Sequence, residues 1–157
     1  MKLKTKAIIV LFQALSSLNG ASRVVEIDGR KKVIEEPYAL SPKVRWNAAK
    51  NRSILRRIVD VRDEVALGYQ KDLRAFRMKL NPSDAPKENA RKFQDEVERI
   101  NGLLADLAEQ EHEVEGLRKL TATGLNLKES PIPPSVIDEL MPLIDGDPDF
   151  ESEEKSK

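Results

Sequence analysis

Apolar residues recur at helical spacing along most of the chain, and four stretches carry the pattern. In the first, Ile8, Leu11, Phe12 and Leu15 share one face of a helix predicted over 5–19, with Thr5 placed to cap it and Gly20 placed to stop it. In the second, Val44, Ala48, Asn51, Leu55, Ile58, Arg62, Val65, Tyr69, Leu73, Phe76 and Leu80 follow one another at spacings of three or four, a seam close to the heptad period. Ser41-Pro42 opens this helix with a cap and a proline at the first helical position, and Asn81-Pro82 closes it, so it is predicted over 42–80. At 1.5 Å per residue such a helix is about 58 Å long, whereas a compact domain of this length is only about 40 Å across. The helix therefore reads as one arm of a helical hairpin, with a bend at Gly68 as the alternative. In the third stretch, over 86–112, Phe93, Val97, Ile100, Leu104 and Leu107 form the stripe, with Ser83 or Asp84 as cap and Pro86 in the first turn. The short loop before it makes the two long helices antiparallel neighbours. The fourth, over 135–144, is a short helix capped by Ser135, with Val136, Leu140 and Leu143 or Ile144 facing inward.

The period changes over 22–36. Asp28-Gly29 sits between two β-rich runs and predicts a hairpin closed by a type I′ turn, both of whose central residues need positive φ. Val25 and Ile27 read as one face with Val33, and Val24 and Ile34 as the other, so both faces are expected to be partly covered. A two-stranded hairpin is marginal alone and must lie on the helices or gain a third strand. The segment over 113–128, where Gly116 and the Thr121–Gly124 stretch break the helical pattern, is read as extended and as the candidate for that strand. Residues 146–157 read as a disordered acidic tail. The fold class is α+β, mainly α: an antiparallel long-helix hairpin, a small β-hairpin and short terminal helices in a single domain over 1–145.

Composition narrows the function classes. The chain has 157 residues and no cysteine, which removes disulfides, thiolate nucleophiles and cysteine-ligated metals and makes a reducing compartment the default. No apolar run approaches the roughly 18 residues of a membrane span. The opening MKLKTKAIIVLFQALSSLNGAS has the basic start of a secretory signal, but Gln13 interrupts the apolar run and no small-x-small site follows, so a retained helix is the reading, with a cytoplasmic location. The 27 basic and 27 acidic side chains cancel overall but are segregated: residues 1–80 carry net +10 and residues 81–157 net −10. The predicted long helix carries net +7 and residues 87–115 net −5, so the two halves are expected to neutralise each other and set the pairing of the hairpin. Stability comes from the seam, because an exposed ion pair contributes at most about 1 kcal/mol and a fully buried aliphatic side chain about 1.5 to 3 kcal/mol.

Candidate chemistry is sparse. His112, the only histidine, lies in EQEHEVE; a divalent-metal site with Glu109 or Glu113 lacks the three or four ligands at the required spacing, and the segment reads as a solvated acidic helix end. Carboxylate pairs one turn apart, such as Asp60 with Glu64, arise in any helix this charged, and no phosphate loop, GxGxxG or GxSxG elbow is present. Ser16, Ser17 and Ser53 have no histidine at a suggestive spacing. The chain is read as non-enzymatic, without cofactor or metal. What remains is a basic cluster, Lys43, Arg45, Lys50, Arg52, Arg56 and Arg57, beside Trp46. Arg45, Arg52 and Arg56 fall near one helix face, so Arg45, Trp46, Arg52, Arg56 and Arg57 are the candidate binding residues. The arginines could contact phosphates and Trp46 could stack on a base, or Trp46 could pack on the first helix or the hairpin. The heptad-like seam also allows a homo-oligomer through the long helices.

The order of elements resembles that of a group of small proteins of tailed bacteriophages and prophages, a group without an assigned activity. The shared layout is a short Lys-led helix, here MKLKTKAIIVLFQALSSLNG, then a K-V-x-[YW]-x-x-A-[KR]-N-x-x-x-L helix, here Lys43, Val44, Trp46, Ala49, Lys50, Asn51 and Leu55. A helix rich in Phe and Glu follows, FQDEVERINGLLADLAEQEHEVE, and the layout ends in P-x-x-[VL]-[IL]-x-x-L-x-x-[LI]-I, here Pro134 to Ile144. The Asp28-Gly29 hairpin departs from the layout. The resemblance spans nearly the whole chain in short motifs, and it implies a phage-encoded accessory protein that binds a phage or host protein, in virion assembly or in the host cytoplasm. Nucleic-acid binding by the basic face of the long helix is the alternative.

Overall fold

The computed structural model describes residues 1–146, apart from the side chains at 23 and 27. It is a mainly helical α+β structure, and no helix of the described residues is long and apolar enough to cross a membrane. Where the sequence reads as one domain over 1–145, the chain divides into two compact units. One comprises Met1–Ile8 and Arg56–Glu113, the other Ile9–Leu55 and the chain from Val114 onward. The acidic tail lies outside the described residues from 147 on.

The first unit is built on the second part of α2 (Pro42–Lys79) and on α3 (Pro86–Glu109). The pairs they form run in opposite directions along the two helices, as antiparallel neighbours must. The Arg77 guanidinium lies 5.9 Å from the Phe93 ring, Arg99 interacts electrostatically with Asp72 and Tyr69, and Ile58 and Val61 line one cavity together with Leu107. α2 is continuous through Gly68. The expected seam is half-buried from Ile58 to Leu80, and along α3 Ile100 alone is fully buried, because two helices shield each other on one side only.

The expected charge pairing joins Lys4 and Lys6 to Glu109 but does not occur between the two long helices. Among the described residues no ion pair joins a base of α2 to an acid of α3: Arg62 pairs with Asp63 at 2.8 Å and Arg99 with Glu96 at 2.6 Å, each inside its own helix. Arg77 sits on a ring, and Arg99 of α3 faces Asp72 of α2, the reverse of the predicted polarity. The seam sets the register and the exposed charges take local partners, as their small individual worth dictates.

α3 begins without a side-chain cap. Ala85 occupies the cap position, Ser83 donates its N–H to Asn81 Oδ1 at 3.0 Å, and Asp84 instead pairs with Lys92 at 2.9 Å. The helix ends before 112 because Gln110 turns extended and β4 (Glu111–Glu113) pairs antiparallel with β1 (Lys2–Lys4), setting Lys2 against Glu113 and Lys4 against Glu111. Thr5, expected as the cap of α1 (Thr5–Ser17), is instead its first residue. It is buried, and its N–H donates to the Gln110 carbonyl at 2.9 Å.

The second unit holds most of the core. Leu11, Ala14, Leu15 and Leu18 of the first helical stretch meet the same burial as Val44, Ala48 and Leu55 of α2, together with Leu120, Leu125, Ile137, Leu140 and Leu143. Ser41 caps α2 as predicted, accepting the Val44 N–H at 3.3 Å. α5 (Pro134–Leu140) is capped by Pro133, with Ser135 already inside the helix, and passes through a 3-10 turn into β6 (Ile144–Asp145). The hairpin forms as β2 (Ala21–Ile27) and β3 (Arg30–Glu36), with Asp28 and Gly29 at φ +52° and +70°. Gly20 is required before it, since at φ +152° a Cβ would lie 2.4 Å from the Glu36 carbonyl oxygen.

Two expectations about the hairpin are corrected. The two-residue turn sets Val24 directly opposite Val33, so Val33 shares the face of Val24 and not that of Val25. No third strand joins it among the described residues: β4 pairs with β1, and β5 (Leu120–Thr121), which runs into the short α4 (Ala122–Leu125), pairs in parallel with β6. All of β3 is exposed, Val24 and Val33 are 62% and 68% exposed, and among the described side chains of the hairpin only Ala21 and Val25 are half-buried.

Candidate functional site

The five predicted binding residues all lie on α2. Arg45, Trp46 and Arg52 belong to the second unit, Arg56 and Arg57 to the first.

In the second unit the cap at Ser41 starts the helix so that Val44, Ala48, Asn51 and Leu55 face inward and Trp46 turns outward. Two polar residues of this stretch, Asn47 and Asn51, are buried, and each holds the segment that follows β4. Asn51, fully buried, donates Nδ2–H to the Arg118 carbonyl at 2.8 Å and accepts the Arg118 N–H on Oδ1 at 2.7 Å. Asn47 donates to the Lys119 carbonyl at 2.8 Å. These bonds place the Arg118 guanidinium 4.4 Å from the Trp46 ring centre, and the Lys50 ammonium lies 5.3 Å from the same ring. Trp46 is 49% exposed and carries two cations. Arg45 donates to the Tyr38 carbonyl at 3.2 Å, while Arg52 has no described partner. The result is a cationic surface organised around one indole. Arg118 is the member that sequence spacing misses; the only sign of it is a polar asparagine repeated one turn apart, at 47 and 51, on an otherwise apolar face.

In the first unit Arg56 is exposed, without a described partner. Arg57 and Arg62 border a cavity of about 220 Å³ floored by Ile58, Val61 and Leu107. His112 lines it too. It is not on a solvated helix end: it is half-buried on β4, with Nε2 2.9 Å from the Thr5 hydroxyl. Beside it, Glu109 binds both Lys4, at 2.7 Å, and Lys6, and these two ammonium groups hold its carboxyl down at about 2. Among the described residues no group of three His, Asp or Glu side chains is placed to hold a metal ion.

In the comparisons with known proteins, no family model, no curated protein and no solved structure matches the chain.

Proposed function

We propose that this chain is a non-enzymatic binding protein that recognises an acidic protein surface through Arg45, Trp46, Lys50, Arg52 and Arg118. The observation that carries the reading is the Trp46 ring with Arg118 and Lys50 over it: two cations gather at one half-exposed indole, so what the surface offers a partner is an aromatic ring set among guanidinium and ammonium groups. Such a surface suits carboxylates, which guanidinium groups bind bidentately. A phage accessory role, in virion assembly or on a host protein, belongs to the same proposal and is supported by the sequence resemblance.

A second reading, contact with nucleic acid, is favoured by Arg52, Arg56 and Arg57, which have no described ion-pair partner. One experiment separates the two, because Trp46 is the only tryptophan and reports on the site directly. A glutamate-rich peptide and short single-stranded DNA and RNA are each titrated at low and at physiological salt while Trp46 fluorescence is followed. The first reading expects a saturable change with the acidic peptide that Arg118→Ala and Arg52→Ala each weaken. Phosphate binding with a steep salt dependence would establish the second reading. A Trp46 signal that responds to none of the three ligands removes both.

A further inference from the structure

We propose that two copies of this chain associate edge to edge through β3, antiparallel about a two-fold axis at Val33, to make one four-stranded sheet.

Four observations converge on it. First, β3 is fully exposed and pairs with β2 alone among the described residues, so its outer edge presents unpaired N–H and C=O groups. Second, the edge has the right phase. The two-residue turn makes Ile27 and Arg30 a hydrogen-bonded pair, and the alternation of an antiparallel ladder then turns the backbone groups of Lys31, Val33 and Glu35 away from β2. These are the residues that a second strand centred on Val33 would bond.

Third, the sequence of β3, RKKVIEE, is charge-complementary to itself when reversed about its centre. In that register Val33 meets Val33 of the second copy, Lys31 meets Glu35, and Arg30 meets Glu36, each twice by symmetry. Shifting the axis to Lys32 sets like charges against each other. No register of β2, ASRVVEI, that keeps paired side chains on one face brings opposite charges together. Lysines on a strand edge ordinarily repel another strand, but here each has an acid at the position two-fold symmetry supplies.

Fourth, the face that would be joined has the exposed apolar groups. Val24 lies opposite Val33 within each hairpin, both more than half exposed, so the dimer aligns Val24, Val33, Val33 and Val24 in one row across four strands. Rows of alternating charge flank it, Glu26 and Lys31 of one copy beside Glu35 of the other. A two-stranded ribbon that is marginal in isolation becomes a sheet of ordinary width.

The test is sedimentation velocity of the full chain over about 1 to 200 µM, the range expected for a small interface of this kind. Wild type is expected to dimerise reversibly. Lys31→Glu and Glu35→Lys are each expected to weaken self-association at least about tenfold, because each sets like charges opposite one another. An equimolar mixture of the two variants is expected to associate, since positions 31 and 35 are then both acidic on one copy and both basic on the other. Glu35 stands opposite Ser22 in its own hairpin, so its reversal spares the monomer, and unchanged circular dichroism confirms this. A wild type that stays monomeric throughout, a dimer that neither variant weakens, or variants that fail to associate when mixed would each overturn the proposal.

Discussion

Asn51 shows how one side chain can join core to surface. It occupies a seam position that an aliphatic residue would fill in a coiled coil, yet it is fully buried and both ends of its amide are used by the backbone of Arg118. Asn51→Ala therefore does more than remove a small polar group. It leaves the Arg118 N–H and C=O without their side-chain partner and opens a void where a fully buried amide stood, at a cost of about 2 to 4 kcal/mol. Urea unfolding should record that loss, and Trp46 emission should shift in the folded state as the Arg118 guanidinium loses its anchor; an Asn51→Ala protein with wild-type stability and emission would mean the amide is dispensable. The seam containing Asn51 is legible from spacing alone, and so is the cap at Ser41. Its partner is not, because Arg118 is 67 residues away and nothing local to either residue points to the other. That is why the candidate site was half legible: Arg45, Trp46 and Arg52 are read from one helix, whereas Arg118 is brought by the tertiary fold.

At the scale of elements, pairing energy overrides propensity at the start of the chain. EHE has little preference for a strand and continues an acidic helix by pattern, but opposite KLK it forms one, with Lys–Glu pairs at both ends and Thr5 bonded to Gln110. The hairpin at Asp28-Gly29 was legible because two adjacent residues fix its turn; β1 with β4 was not, because more than a hundred residues separate them. The tie has an acid-sensitive member. Glu109 titrates at about 2, well below the ordinary 4.5 of a glutamate, because Lys4 and Lys6 both bind its carboxylate. A lowered folded-state value means that its contribution is complete above about 4.5 and is lost as the pH falls from there toward about 2. Amide protection at Lys2–Lys4 and Glu111–Glu113, taken relative to the intrinsic exchange rate at each pH, is expected to fall across that window, and Glu109→Gln to show the lower protection already at neutral pH. Exchange that ignores both the acid and the substitution would show that the strand pair stands on its backbone bonds alone. The exposure of Glu109 makes this a local effect and not a determinant of global stability.

At the scale of the molecule, segregated charge was the most conspicuous feature of the sequence and the least informative about structure. A count of net +10 against −10 says which charges are available, whereas the partner each one takes depends on which surfaces meet: Arg62 and Arg99 pair inside their own helices, Glu109 of α3 takes Lys4 and Lys6, and Arg52, Arg56 and Arg57 have no described ion-pair partner. The apolar pattern carried further, but it too was blind to one thing: the heptad-like positions of α2 look alike from end to end, yet their burial does not. Leu55, in the second unit, is fully buried, and Leu73, in the first, is half-buried. Leu55→Ala is thus expected to cost about 3 to 5 kcal/mol, the range for an enclosed leucine with an uncollapsed cavity. Leu73→Ala, which removes side-chain surface already partly in water, should cost about 1 kcal/mol. Chemical unfolding of the two variants by circular dichroism measures the ratio. If the two substitutions were equally costly, the second half of the seam would have to be as deeply enclosed as the first, and the division of the chain into a many-element core and a two-helix hairpin would fail.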